Sequence, residues 1–277
     1  MLAYNKSIFS GSHMDAFICR EINKMTITLL ADYFGAPELE IQQIYQELLD
    51  DKQFLGEINQ QLAFCRQYHQ KGIFRHESLD SVDWFGIQRI LLYVLVRMRQ
   101  PEVFVETGVF YGGNTAFILN ALRRNGKGHL YSFDLAANEI QDLNRHHLVG
   151  DSEIIPAGLD VGFMVHENLK KAWTLIRGHS HQTLPLFDKQ IDIFMHDSDH
   201  AHNFVLREFE IIWPKLSENA VILADDLNWA NAFFQVCVER RLLPLIITDN
   251  GKSGLLARTG LAWLQHPANT KLDMVGG

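Results

Sequence analysis

The sequence has little cysteine and no concentration of positive charge. Its three cysteines, Cys19, Cys65 and Cys237, match neither the spacing of a metal site nor that of a disulfide framework. This usage indicates reduced thiols, so we expect a cytoplasmic protein. The formal net charge is -8, from 25 basic and 33 acidic residues. Because no basic block stands out, nucleic acid is disfavoured as a partner.

Long apolar runs are also missing. No run reaches the roughly 20 residues that a membrane-spanning helix needs. The longest candidate, ILLYVLVRM at 90–98, contains Arg97 and has the length of a helix in a soluble core. We therefore expect no membrane partner. Hydrophobic residues make up 47% of the 277 residues, which is enough for one large domain or for a domain with an extension.

The first part of the chain carries helical periodicity and almost no strand signal. Apolar residues recur near a 3.6-residue spacing in PELEIQQIYQELLDD at 37–51, and FLGEINQQLAFCRQYH repeats the pattern. A further helix is predicted in SVDWFGIQRILLYVLVRMRQ and ends at Pro101. Residues 11–14 read GSHM, which is typical of a cloning remnant, so the interpretation begins at residue 15. We predict that residues 15–83 form a helical extension, which acts as a lid or as a homodimer contact.

From residue 101 onwards, short apolar runs alternate with segments that have room for a helix. The runs are VFVE (103–106), HLYSFD (129–134), WTLIRG (173–178), IDIFMHD (191–197), AVILADD (220–226), LPLIITD (243–249) and LAWLQH (261–266). This alternation predicts an α/β domain over residues 84–277, with a Rossmann-like, doubly wound and mostly parallel sheet of seven strands. The last two runs are joined through the turn-rich NGKSG, which favours a final antiparallel hairpin.

The first strand runs into a glycine turn, EVFVETGVFYGGNT. Ligands of open α/β sheets bind beyond the carboxyl ends of the strands, and glycine allows the backbone to approach such a ligand closely. The turn holds Gly108, Gly112 and Gly113, and we expect the next helix to begin near Asn114 or Thr115, which are good capping residues. The spacing differs from G-x-G-x-x-G, and a Walker lysine is absent. Dinucleotide and triphosphate ligands are therefore disfavoured.

An acid ends each of the first two strands. Asp134, after the second strand, is placed to accept hydrogen bonds from the hydroxyl groups of a ribose. Glu106, one strand over, is placed to accept from an ammonium group. A ligand with an adenosine ribose at one end and a zwitterionic amino acid at the other fits this pair, and S-adenosylmethionine is such a molecule. Either acid, taken alone, is also compatible with a simple helix cap.

Further acids follow the fourth and fifth strands. HDSDH contains Asp197, Asp199 and His200, and ADD contains Asp225 and Asp226. These strand ends are neighbours in a doubly wound sheet, so the carboxylates would repel unless one binds a proton or a cation lies among them. Oxygen ligands suit Mg²⁺ or a similar divalent cation, and Asp199 or His200 could serve as the general base. Asp199 and Asp226 could equally be helix caps.

These residues resemble the class I S-adenosylmethionine-dependent methyltransferases over about residues 84–266. VFVETGVFYGGNT is similar to their first motif and LYSFD to their second. HDSDHAHNFVLREFEIIWPKL and DDLNWANAFF are similar to paired motifs of a bacterial small-molecule group, related to macrocin and catechol O-methyltransferases. The resemblance implies methyl transfer to a small molecule, most simply O-methylation.

The resemblance also implies roles for particular residues. The implied cofactor-binding residues are Glu106, Gly108, Phe110, Asn114, Thr115, Asp134, Ser180 and Asp197. The implied ligands of a divalent cation are Asp197, Asp225 and Asp226. One departure from the group concerns the loop that contacts adenine, which often reads Gly-Asp-Ser there and reads Gly178-His179-Ser180 here.

Two other functions remain open at this point. The first is an oxidoreductase resembling cephalosporin hydroxylases, in which His196, His200 and Asp197 could form an iron-binding triad. The second is a non-catalytic nucleoside-binding module, which would have no need of the acids after the fourth and fifth strands. The acceptor is not specified by the sequence. The aromatic residues that could line an acceptor pocket, or simply belong to the core, are Trp84, Phe110, Tyr111, Trp229 and Phe233.

Overall fold

The structure is a computed structural model that describes residues 24–69, 86–136, 139, 155, 158–227, 231–242, 244–248 and 260–265. Its α-helices are α1 (Lys24–Phe34), α2 (Glu38–Leu49), α3 (Lys52–His69), α4 (Ile87–Arg99), α5 (Gly113–Asn125), α6 (Ser180–Thr183), α7 (His202–Ile212) and α8 (Ala232–Glu239). Short 3₁₀ helices lie at Glu167–Ala172, Leu184–Leu186 and Trp213–Lys215. No helix in the described ranges is long and apolar enough to cross a membrane.

The strands form one sheet around which the helices are arranged. They are β1 (Val103–Thr107), β2 (His129–Asp134), β3 (Trp173–Arg177), β4 (Ile191–His196), β5 (Leu216–Ala224), β6 (Leu245–Thr248) and β7 (Gly260–Gln265), in the spatial order β3-β2-β1-β4-β5-β7-β6. The first five strands pair in parallel, whereas β7 runs antiparallel to β5 and to β6. The predicted α/β fold with a parallel, Rossmann-like sheet is confirmed.

Side chains of the central strands point alternately into two hydrophobic cores. Phe104, Ile193 and Val221 belong to the core that contains α4 and α5, and we call this side of the sheet the α4 face. Val105 and Phe194 belong to the core that contains α7 and α8, on the side that we call the α7 face. Because both sides are covered, the central strands are apolar almost throughout, as expected for buried parallel strands.

The helices α1–α3 pack into the same core as α4. Polar contacts reinforce this packing: Glu47 of α2 pairs with Arg97 of α4 at 2.8 Å, and Glu57 of α3 pairs with Arg123 of α5 at 2.9 Å. The helix α4 is therefore covered on both sides, which explains why its central residues are apolar all round. Whether the predicted extension acts as a lid or as a dimer contact stays a prediction.

The helix α5 begins one residue before the predicted capping residues. Its N-cap is Gly112, which has a left-handed conformation with φ of 93° and provides no side-chain cap. The prediction that Asn114 or Thr115 caps this helix is therefore wrong. Both lie within the first turn, where their side chains are available for contacts with the sheet. Elsewhere, β5 begins at Leu216, four residues earlier than the apolar run predicted from residue 220.

The turn after β1 leads to a first prediction, that Gly108→Ala strongly destabilises the fold. Gly108 has a φ of +81°, and an added Cβ would overlap the carbonyl oxygen of Asp197 and lie 2.5 Å from the carbonyl carbon. Backbone strain and overpacking together should lower the free energy of unfolding by about 2–5 kcal/mol. The measurement is urea denaturation of the variant and the parent protein.

The control for this experiment is Gly126→Ala at the end of α5. Gly126 also has a positive φ, +67°, but nothing lies within 4 Å of an added Cβ. The free energy of unfolding of this variant should fall by only about 1–2 kcal/mol, the cost of placing alanine in a left-handed conformation. Equal losses in the two variants would contradict the close approach of β1 and β4 at Gly108.

Candidate active site

Carboxylates line the carboxyl edge of the sheet on the α4 face. The register pairs Glu106 with Ser132 on β2 and with Met195 on β4, so these side chains share one face. Residues two positions further on point to the same face. The resulting set, which we call the carboxylate row, runs across the neighbouring strands β2, β1, β4 and β5 as Asp134, Glu106, Asp197 and Asp225. Of the four acids that the sequence predicted to converge after β4 and β5, Asp197 and Asp225 belong to this row.

Asp134 holds the glycine turn. One carboxylate oxygen accepts the backbone N–H of Val109 at 2.8 Å and that of Phe110 at 2.9 Å, and the other accepts the N–H of Leu135 at 2.7 Å. Burial raises the pKa of Asp134, and these backbone donors oppose that rise. A carboxylate has about four acceptor sites, so Asp134 retains capacity for a further donor. The predicted contact with a ribose stays a prediction.

The missing side chains of the glycine turn leave room for other parts of the protein. Gly108 lies against the backbone of Asp197, and Gly112 lies against Val165, whose Cγ2 would be 2.6 Å from an added Cβ. At Gly113, the guanidinium carbon of Arg89 would be 2.8 Å from an added Cβ. At each of these three glycines, another part of the protein thus approaches the backbone closely.

Glu106 is fully buried and bound within the protein. Its carboxylate accepts the hydroxyl of Thr115 at 2.9 Å and the hydroxyl of Ser132 at 2.7 Å. Ser132 in turn accepts the indole N–H of Trp173 at 2.9 Å. Burial raises the pKa of Glu106 to about 7, although the two hydroxyl donors oppose the rise. The hydroxyl of Thr115 faces Glu106, and the predicted contacts of both residues with a cofactor stay predictions.

The other two members of the carboxylate row are held by amide donors. Asn114 donates from Nδ2 to Asp197 at 3.0 Å, and Gln88 of α4 donates from Nε2 to Asp225 at 3.2 Å. The backbone N–H of Asp226 donates to Asp225 at 2.8 Å. Burial raises the pKa of Asp197 well above its usual value, and the nearby charge of Asp225 adds to the effect. Burial also raises the pKa of Asp225, to about 6.

The acids do not fit the predicted metal site. In the part of the chain that the structure describes, no group of three or more His, Cys, Asp or Glu residues is arranged to hold a metal ion. Asp197 and Asp225 each accept N–H groups through one carboxylate oxygen. Asp226, the third predicted ligand, lies 3.4 Å from Nε2 of His200 through Oδ2. The prediction of a divalent cation on these residues is therefore not confirmed.

The two residues predicted as general bases lie in different surroundings. His200 is partly buried beside Asp226, and burial lowers the pKa of its imidazole to about 4. It is therefore neutral near neutral pH and able to accept a proton. Asp199 is exposed, and its Oδ1 accepts the N–H of Ala201 at 2.8 Å in the loop before α7. The N-cap of α7 is Ala201, so the alternative that Asp199 caps this helix is wrong. A catalytic role for either residue stays a prediction.

A buried pair on the α7 face was missed by the sequence analysis. Nδ1 of His196 lies 2.7 Å from Oε2 of Glu208, and both side chains are almost fully buried. Glu208 also accepts the hydroxyls of Thr107 at 2.8 Å and Ser198 at 2.9 Å. Burial alone would raise the pKa of Glu208, but His196 and the hydroxyl donors lower it overall. This pair anchors the loop after β4 to α7.

Two residues of the possible iron-binding triad, His196 and Asp197, point to opposite faces of the sheet. His196 points to the α7 face, because it pairs in register with Thr107, whose side chain also binds Glu208. Asp197, the next residue, points to the α4 face and binds Asn114. The triad proposed for an oxidoreductase is therefore not assembled among the described residues, which agrees with the absence of a metal-holding group there.

The first turn of α4 was also missed. Gln88 reaches Asp225, and Nη2 of Arg89 donates to the hydroxyl of Tyr111 at 2.9 Å. Nε of Arg89 lies 3.4 Å from Oδ1 of Asn114. The only signal in the sequence was a pair of polar residues at the start of an otherwise apolar helix, directly before the first strand. That signal does not reveal which distant residues the pair contacts.

The loop predicted near adenine begins α6. Ser180 is buried, and His179 precedes it. Nδ1 of His179 accepts the N–H of His181 at 3.3 Å, so His179 caps the helix. Among the aromatic residues considered for the acceptor, Phe233 is buried beside Phe209, and Trp84 and Trp229 lie outside the described residues. Phe110 and Tyr111 remain in the glycine turn, with ring centroids 4.9 Å apart.

The raised pKa of Glu106 predicts a pH-dependent loss of stability. The pKa in the folded protein is about 7, against 4.5 for an ordinary glutamate, so the folded state binds more protons between those values. The contribution of Glu106 to stability is therefore largest below about pH 4.5, falls as the pH rises to about 7 and is constant above it. The expected fall is about 3 kcal/mol.

The matched variant for this measurement is Glu106→Gln, which cannot ionise. Denaturation of both proteins at several pH values between 4.5 and 8 should show that the variant gains stability relative to the parent as the pH rises. The difference between the proteins, rather than either absolute value, isolates Glu106 from the other titrating groups. A difference that does not change with pH would show that Glu106 ionises normally.

Comparison with known proteins agrees with this arrangement. Residues 105–227 match a family model described as a methyltransferase domain. This segment contains the glycine turn and every member of the carboxylate row. A search of curated proteins found no match.

Solved structures share the fold at low sequence identity. The O-methyltransferase from Bacillus cereus, solved with S-adenosylhomocysteine, is 15% identical, with a TM-score of 0.52 over 81% of this chain and 96% of its own. The O-methyltransferase TomG from Streptomyces achromogenes, involved in tomaymycin synthesis and solved with S-adenosylmethionine, is 15% identical, with a TM-score of 0.50 over 76% of this chain and 89% of its own. Cofactor-bound Rv0187 from MTB is 14% identical, with a TM-score of 0.54 over 90% of this chain and 100% of its own. Residues 105–227 thus match a methyltransferase domain, and the likeness to these solved structures is one of fold.

Proposed function

We propose that this enzyme transfers the methyl group of S-adenosylmethionine to an oxygen atom of a small-molecule acceptor. The observation that supports this best is the carboxylate row. Asp134 lies beside the glycine turn, where a nucleoside would bind, and Asp197 and Asp225 lie on the next two strand ends beyond Glu106. Acids next to the cofactor are suited to orient an acceptor hydroxyl and to favour loss of its proton.

In the proposed complex, the cofactor lies along the carboxyl edge from β2 towards β4. Asp134 accepts hydrogen bonds from the ribose hydroxyls, and the loop at Ser180 lies on the adenine side. Gly108, Phe110 and Asn114 contact the amino-acid end through the glycine turn and the first turn of α5. This placement leaves Asp225 and His200 beyond the methyl group, where the acceptor is expected.

The reaction is a displacement at the sulfonium methyl group. The bond from carbon to the cofactor sulfur breaks, a bond from the acceptor oxygen to the same carbon forms, and the acceptor hydroxyl loses its proton. The cofactor supplies the reactivity, while the protein aligns donor and acceptor. His200 is the preferred proton acceptor of the two predicted bases, because it lies beside Asp226, whereas Asp199 is exposed and bound to the local backbone.

The N-terminal helices are proposed to restrict access to this site. Gln61 of α3 donates to the carbonyl of Phe163 at 2.9 Å. The segment that contains Phe163 also binds the glycine turn, because Gly162 donates its N–H to the carbonyl of Phe110 at 2.7 Å. The helix α3 is therefore connected to the cofactor turn through one intervening segment, which supports a lid role for the extension.

Replacement of Asp134 tests the cofactor assignment. Asp134→Asn keeps the shape of the side chain but loses the charge that accepts the ribose hydroxyls. One charge-assisted hydrogen bond contributes about 1.5–3 kcal/mol, so the dissociation constant for S-adenosylhomocysteine should rise by about 10- to 100-fold. Isothermal titration calorimetry measures this directly. Unchanged affinity would refute the ribose contact.

Replacement of Asp225 tests the acceptor side separately. Asp225→Asn should bind S-adenosylhomocysteine normally but lose about 100-fold of the transfer rate, because the acceptor hydroxyl is no longer held in position. The assay follows release of S-adenosylhomocysteine with a panel of phenols, catechols and hydroxylated metabolites, with and without EDTA. The exposed Glu210→Gln on α7 is the control and should retain activity. Full activity of Asp225→Asn would contradict the assignment, and loss of activity in EDTA would restore the metal hypothesis.

A further inference from the structure

In the proposed cofactor site, the acids would repel the carboxylate of S-adenosylmethionine. The amino-acid end of S-adenosylmethionine carries an ammonium and a carboxylate. The carboxylate row already places several acids at this edge. Burial raises the pKa of Asp197, and the charges of Asp225, Asp226 and Glu106 raise it further. A further carboxylate brought next to them is repelled unless a cation faces it. The residues predicted from the sequence to bind the cofactor include no cation.

Arg89 supplies such a cation at the amino-acid end. Its guanidinium lies over the start of α5, in the space left by the missing side chain of Gly113. It donates to the hydroxyl of Tyr111 at 2.9 Å and contacts Oδ1 of Asn114 at 3.4 Å. All three contacts are therefore with the glycine turn or the first turn of α5, where the amino-acid end of the cofactor is proposed to lie.

Four other arginines of the described residues lie elsewhere. Arg177, at the end of β3, interacts with Asp134 and pairs with Asp160 at 2.5 Å, on the side of β2 away from β1. Arg97, Arg123 and Arg124 pair with acids of the N-terminal helices. Arg89 acts at the other end of the carboxylate row, where its charge lowers the pKa of Asp225 against the effect of burial.

We propose that Arg89 binds the carboxylate of the methionine moiety. The inference rests on the proposed function and adds a cofactor-binding residue to it, on a helix outside the segment matched by the methyltransferase family model. A guanidinium presents its N–H groups in a planar fork that suits a carboxylate. Tyr111 and Asn114 hold that fork over the helix start, and Gly113 allows it to lie there.

The test compares ligands that differ only at the amino-acid end. Calorimetry measures the binding of S-adenosylhomocysteine, of decarboxylated S-adenosylhomocysteine, which keeps the ammonium, and of 5′-methylthioadenosine, which lacks the whole amino acid. Arg89→Gln should raise the dissociation constant for S-adenosylhomocysteine by about tenfold or more, as expected for loss of a charge-assisted contact. The affinities for the other two ligands should change by less than about twofold, because neither offers a carboxylate.

The control variant is Arg99→Gln at the other end of α4, where Arg99 donates to the carbonyl of Asn219 at 2.5 Å. It should leave all three affinities unchanged. Arg89→Lys keeps the charge without the planar fork, so it should show a smaller loss that is again confined to S-adenosylhomocysteine. This variant also serves if Arg89→Gln does not fold.

Each outcome decides between the proposals. Unchanged binding of S-adenosylhomocysteine, or equal weakening of all three ligands, overturns the role of Arg89 while the proposed function stands. In the second case Arg89 acts only by holding the glycine turn. If the unmodified protein binds none of the three ligands, the proposed cofactor site itself is wrong, and the assignment of Arg89 falls with it.

Discussion

The crowding of carboxylates at one edge of the sheet is the constraint on which the rest of the site depends. Strand register places acids of neighbouring strands on the same face, and the protein must then compensate each of them. A buried carboxylate without partners costs several kcal/mol. The partners differ from one acid to the next: backbone N–H groups for Asp134, hydroxyls for Glu106, and side-chain amides for Asp197 and Asp225.

These partners also determine how the surrounding elements are arranged. The donors come from the glycine turn, from the first turn of α5 and from the first turn of α4, so compensation of the acids fixes those elements against the sheet. On the opposite face, Glu208 performs a similar task for the loop after β4 by binding His196 and Ser198. The edge is therefore held from both sides, and the side chains that reach it need little reorganisation before they bind a ligand.

The fold was largely predictable because its signals are local. Apolar runs of strand length, separated by room for helices, predicted the central strands to within a few residues, and the acids at their ends indicated the functional edge. The finer chemistry was less predictable. An acid at a strand end gave no sign that Glu106 would be enclosed by Thr115 and Ser132, and the capping preferences of Asn114 were overridden by the left-handed Gly112.

Contacts between distant parts of the chain left no pattern to find. Gln88 and Asp225 are separated by 137 residues, and Glu208 binds Thr107 across 101 residues. Such pairs become neighbours only through the parallel crossovers of the sheet. Spacing within a motif cannot reveal them, which is why the first turn of α4 was interpreted only as part of a core helix.

Asn114 connects the two kinds of charge at this edge. Its amide donates through Nδ2 to Asp197 and accepts through Oδ1 from Arg89, so the two contacts define which way the amide faces. The order along the first turn of α5 is thus carboxylate, amide and guanidinium. A zwitterionic amino acid laid along this turn is matched in one direction, with its ammonium towards Asp197 and its carboxylate towards Arg89. The reverse direction would place like charges together, so the same amide that compensates Asp197 favours one orientation of the proposed cofactor.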